Sequence, residues 1–101
     1  MKDDIRLTGR QIAAGRTLAG LGQGALARAA RISVPTLRRM EASAGTAAGM
    51  ANNVAAVRFA LESAGVIFVA ENGEGEGVRL RRKRSLDQGL RPEELNASND
   101  D

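Results

Sequence analysis

The chain has 101 residues, 43% of them hydrophobic, with a formal net charge of +3 and two aromatic side chains, Phe59 and Phe68. It contains no cysteine and no histidine, which excludes disulfides, the usual zinc ligands and nucleophilic machinery of the Cys-His or Ser-His-Asp kind. The length suits one small domain. A core built almost wholly of Ala, Leu, Val, Ile and Met is light enough that a second copy is expected to complete it.

The opening MKDDIRLTGR holds no apolar stretch resembling a signal peptide. A first helix is predicted from about residue 9 to 19, opened by the capping-box pair Thr8 and Gln11 and stopped at Gly20. Ile12 and Leu18, with the small Ala13, Ala14 and Gly15, give it a thin apolar face. A second helix is predicted from about residue 23 to 30, then a turn at Arg31-Ile32-Ser33, then a third helix from about 34 to 42. Ser33 suits the N-cap of the third helix, and Pro35 is tolerated in its first turn. Leu26, Ala27, Ala30, Ile32, Leu37 and Met40 fall where two short crossing helices need apolar or small side chains. Ala27 marks the close crossing, where a larger side chain would clash. This is helix-turn-helix spacing. The outward face of the third helix carries Val34, Pro35, Thr36, Arg38 and Arg39. An exposed helix with two adjacent arginines, held by a rigid turn, is what reading a major groove requires.

Residues 43–49, SAGTAAG, read as a loop. A fourth helix follows from about residue 51 to 64, with Val54, Val57 and Leu61 on one face and Gly65 as its C-cap glycine. The period then changes. Val66-Ile67-Phe68-Val69-Ala70 reads as a strand, Val78-Arg79-Leu80-Arg81 as its partner, and ENGEGEG, 71–77, as the hairpin connection. Gly73, Gly75 and Gly77 are not read as a phosphate loop: a strand follows them rather than a helix, and Glu71, Glu74 and Glu76 would repel phosphate. Two strands alone are weak in water. The hairpin therefore packs on the helices or pairs with another subunit, and Val66, Phe68, Val78 and Leu80 are the candidate dimerisation residues.

Charge divides the chain. Residues 5–66 carry eight arginines against two glutamates, a net +6, whereas residues 85–101 carry one arginine against five acids, a net −4. Arginine makes bidentate contacts to phosphate and to guanine edges. The basic run at residues 81–84 reads as a solvated strand end, a DNA-backbone contact or a contact to an acidic partner. Residues 85–101, SLDQGLRPEELNASNDD, are polar and acidic, and are expected to be disordered apart from one helical turn around 92–95. The expected organisation is a helix-turn-helix DNA-binding domain over 1–65, a β-hairpin with a basic end over 66–84, and an acidic tail over 85–101.

The segment LGQGALARAARISVPTLRRME, residues 21–41, resembles the helix-turn-helix of the XRE-like family, the phage lambda repressor and Cro type. The likeness extends from about Leu7 through the fourth helix. GVIFVAENGEGEGVRLRR resembles the C-terminal extension of many small bacterial members, so the likeness covers roughly residues 7–82. The resemblance implies a mainly α fold, a lambda-repressor-like bundle of about four helices followed by the hairpin. It implies that Arg16, Gln23, Ser33 and Thr36 contact DNA phosphates while Val34, Pro35, Arg38 and Arg39 face base edges. The chain departs from the family at Arg31, where glycine is usual in a left-handed turn, and at Gly22, where a serine cap is common.

The expected function is therefore sequence-specific binding of double-stranded DNA by a homodimer that regulates transcription, with the third helix in the major groove. The alternative is a DNA-tethering interaction module, in which residues 85–101 recruit a second protein: a co-regulator, RNA polymerase, or a toxin if the chain is an antitoxin. No carboxylate sits in a catalytic constellation, so neither enzymatic activity nor a cofactor or metal is expected. No apolar run approaches bilayer length. The protein is expected in the cytoplasm, associated with the nucleoid.

Overall fold

The computed structural model describes residues 6–81. Four helices, α1 (Gly9–Leu18), α2 (Gln23–Ala30), α3 (Val34–Glu41) and α4 (Ala51–Ser63), are followed by an antiparallel hairpin of β1 (Val66–Val69) and β2 (Gly77–Leu80). The expectations for residues 82–84 of the basic run, for the helical turn around 92–95 and for the acidic tail lie outside the described residues.

The expected capping box opens α1: the Gln11 N–H donates to Thr8 Oγ1 and the Thr8 N–H to Gln11 Oε1, each at 3.0 Å. Gly20, at φ +75°, ends the helix in the left-handed region. The start of α1 butts against the end of α3. A Cβ on Gly9 would lie 2.5 Å from the Met40 carbonyl oxygen and 2.8 Å from that of Ser43, so only glycine allows this approach. The contact brings the positive end of one helix dipole to the negative end of another. The 43–49 loop is bound to the same entry. The Gly9 N–H donates to the Gly45 carbonyl at 3.0 Å and the Ala47 N–H to the Leu7 carbonyl at 2.9 Å.

The turn between α2 and α3 forms as the spacing requires. Arg31 holds φ +60° and ψ +43°, a left-handed conformation taken without glycine. The Ile32 N–H closes the turn on the Ala27 carbonyl at 3.0 Å. Ser33 caps α3, its hydroxyl accepting from the Thr36 N–H at 3.2 Å. Leu26, Ala27, Ala30, Leu37 and Met40 are buried, with Ile32 packed at the margin. They join Leu7, Ile12, Ala47, Val57, Leu61, Val66 and Phe68 in one core. Leu18 departs from expectation. It lies at the last position of α1 and is 45% exposed.

The hairpin packs on the subunit's own helices. Its register pairs Val66 with Leu80 and Phe68 with Val78 on one face, and Ile67 with Arg79 on the other. The first face meets α1 at Gly15, where an added Cβ would stand 3.1 Å from Val66 Cγ1. Val66 and Phe68 are thus already covered within the subunit, and Val78 is partly so. Leu80, near the strand end, remains 44% exposed. As dimerisation residues Val66 and Phe68 have no free surface to offer, because α1 and α4 fill the role foreseen for a partner.

Candidate nucleic-acid interface

Pro35, Arg38 and Arg39 lie at i, i+3 and i+4 on α3 and share its outer face, all three exposed. Leu37 and Met40 occupy the opposite face and are buried. Val34 leans the other way from expectation: it is half-buried and packs against the core rather than standing with the arginines. Thr36 is half-buried, its Oγ1 accepting from Ser33 Oγ at 2.8 Å and lying 3.5 Å from Arg39 Nη2. The N-cap hydroxyl, Thr36 and Arg39 thus form one short polar row at the opening of α3.

A second row runs below it and centres on Glu41, the last residue of α3. Its carboxylate accepts from Arg16 Nε at 2.7 Å, from Arg16 Nη2 at 3.1 Å and from Gln23 Nε2 at 3.0 Å. Arg16 Nη1 also donates to the Leu21 carbonyl at 3.1 Å. The Glu41 side chain is 8% exposed and that of Arg16 20%. Arg16, foreseen at a phosphate, therefore has all three guanidinium nitrogens engaged inside the fold, and it ties α1 to α3. Gln23 keeps a surface role: its Oε1 lies 3.4 Å from Arg38 Nε, and one of its two amide hydrogens remains available. Gly22 caps α2 without a side chain, so the first N–H groups of that helix stay open beside Gln23.

The arrangement holds two outward arginines on a helix whose beginning is capped and whose end is ion-paired to its neighbours. Such a row can donate bidentate hydrogen bonds to phosphates or to a guanine edge. Exposed Arg28 and Arg31 extend the positive surface across α2 and the turn. Among the described residues no group of carboxylates could hold a metal ion, and no helix is long and apolar enough to cross a membrane.

Two contributors escaped the sequence reading. Glu41 is the one acid between residues 5 and 61, and that isolation among arginines was its available signal. Gln11 was legible as a capping residue only. It is also buried, and its Nε2 donates to the carbonyls of Val69 at 3.1 Å and Gly77 at 3.0 Å, clamping the loop end of the hairpin to α1.

A scan against protein-family models finds no match for the chain, and a search of curated proteins finds none either.

Proposed function

We propose that the protein is a sequence-specific, duplex-DNA-binding regulator of transcription that acts as a homodimer and places α3 in a major groove. The observation that supports this most directly is the outer face of α3: Pro35, Arg38 and Arg39 exposed together on a helix anchored at both ends. Arg38 and Arg39 read base edges, and Pro35 gives an apolar contact, for example to a thymine methyl. Gln23, the open N–H groups of α2, Ser33 and Thr36 meet phosphates and set the register. Arg16 acts behind them, through Glu41.

Selection of bound fragments from a random duplex library tests the reading. The expected result is a two-fold symmetric motif with half-sites about 34 Å apart along the helix axis. Replacing Arg39 by Ala should weaken binding to that motif by about 1–3 kcal/mol and relax the preference at one base position. An equal loss on every sequence would make Arg39 a phosphate contact. No enriched motif, with binding that collapses as salt rises, would leave only non-specific electrostatics.

A further inference from the structure

Phe59 is one of two aromatic side chains in the chain, and it is 71% exposed in the middle of α4. Its companion Phe68 is in the core. Around Phe59 the other exposed residues of α4 are Ala51, Asn52, Ala55, Ser63 and Glu62, all small or polar and all but Glu62 uncharged. The helix carries just two charges, Arg58 and Glu62, joined as an i,i+4 pair at 3.0 Å along one rim of this face. A lone exposed apolar side chain is ordinary on a surface, so what points to a partner is the order of charges beside Phe59 and not its exposure alone.

We propose that this face of α4 docks a second copy of the chain, the two helices running antiparallel about a two-fold axis that passes close to residue 60. The charge order is what selects a second copy. Under such an axis, residues equally spaced on either side of 60 face each other. Arg58 then stands opposite the partner's Glu62, and Glu62 opposite the partner's Arg58. Phe59 lies beside the partner's Phe59. Ala56 faces the partner's Ala64 and Ala55 the partner's Gly65, so nothing large stops the helices from closing. A two-fold perpendicular to the helices keeps each rim on its own side, so both ion pairs form along the rim that already carries Arg58 and Glu62. Self-complementarity of this kind is what an isologous contact requires.

The size of the face sets the strength. A 13-residue helix is about 20 Å long and 10 Å wide with side chains. That falls short of the roughly 800 Å² per partner of a standard interface. The contact is therefore weak in free solution, with a dissociation constant on the order of micromolar or above. It becomes effective when two half-sites hold two copies together. The proposal rests on the homodimer reading above and supplies its subunit contact, but the contact itself needs no DNA.

Sedimentation velocity of the full chain without DNA, from about 10 to about 500 μM, tests it. The expected result is a concentration-dependent monomer–dimer equilibrium. Phe59→Lys should weaken it tenfold or more, with an unchanged circular-dichroism spectrum because the side chain is exposed. Glu62→Arg, which sets arginine against the partner's Arg58, should also weaken it, and the swapped pair Arg58→Glu/Glu62→Arg should restore it. A wild-type chain that stays monomeric overturns the proposal and leaves the face to another protein. Undiminished dimerisation of the Phe59→Lys chain overturns it by placing the contact elsewhere. A Glu62→Arg chain that pairs as well as wild type, or a swapped pair that does not recover, overturns the axis. Selection of single half-sites by the Phe59→Lys protein reads DNA binding separately, so either idea can fail alone.

Discussion

Glu41 holds more of the candidate interface than any other side chain, because one carboxylate accepts from both Arg16 and Gln23 and ends the helix that carries Arg38 and Arg39. Replacing it by Ala leaves a mostly buried guanidinium without its counter-charge. The expected loss is about 3 kcal/mol in urea unfolding, toward the lower end for a buried pair because Arg16 keeps some contact with water. Glu41→Gln should recover little, since the acceptor returns but the charge does not. A loss below about 1 kcal/mol would mean that water compensates Arg16 fully. Arg31 argues in the opposite direction. It holds a left-handed conformation that costs a residue with a Cβ about 1 kcal/mol, and its side chain is exposed. Arg31→Gly should therefore raise stability by about that amount, less the extra unfolded-state freedom of glycine. Thermal melting of the pair of proteins measures it directly.

At the scale of elements, the helices were legible because their signals are local. A cap and its partner sit three residues apart at Thr8 and Gln11 and again at Ser33 and Thr36, and the sites of Ala27 and Leu37 follow from helical periodicity. Glycines closing α1 and α4 are likewise written beside the turns they make. What connects elements was not legible. Gln11 reaches carbonyls 58 and 66 residues away, Glu41 binds residues from two other helices, and Gly9 is needed because backbone of a distant segment crowds it. No periodicity records such meetings. The candidate site divides the same way: Arg38 and Arg39 on the outer face of α3 follow from helical spacing, whereas the tying-in of Arg16 and the inward lean of Val34 depend on packing. The clamp gives its own prediction. Gln11→Ala removes the cap partner of Thr8 and leaves the Val69 and Gly77 carbonyls short of a donor, at a cost of about 1–3 kcal/mol. Hydrogen exchange should then speed up most at β1 and β2 and least in α3. Uniform acceleration across the chain would mean that the hairpin never opens separately from the helices.

For the whole molecule the dominant feature is the division of charge. The segment 5–66 is strongly positive and 85–101 strongly negative, so the two parts should respond differently to deletion. Every member of the described core lies between Leu7 and Phe68. Removing residues 85–101 should therefore leave the melting temperature within about 2 °C of wild type, since every residue of the described core is kept. DNA affinity at low salt should hold or rise as four net negative charges leave. If regulation in cells disappears while that affinity persists, the tail recruits a second protein, whereas unchanged regulation excludes that role. The clamp at Gln11 has a further consequence, for how the chain folds. Helical bundles of this size owe their speed to contacts between near neighbours along the chain. Here the first helix is completed only by residues that lie beyond the fourth. Residues 11 and 69–77 must meet before the first helix is secure, and a chain emerging from synthesis cannot finish that helix's contacts until residue 77 has been made.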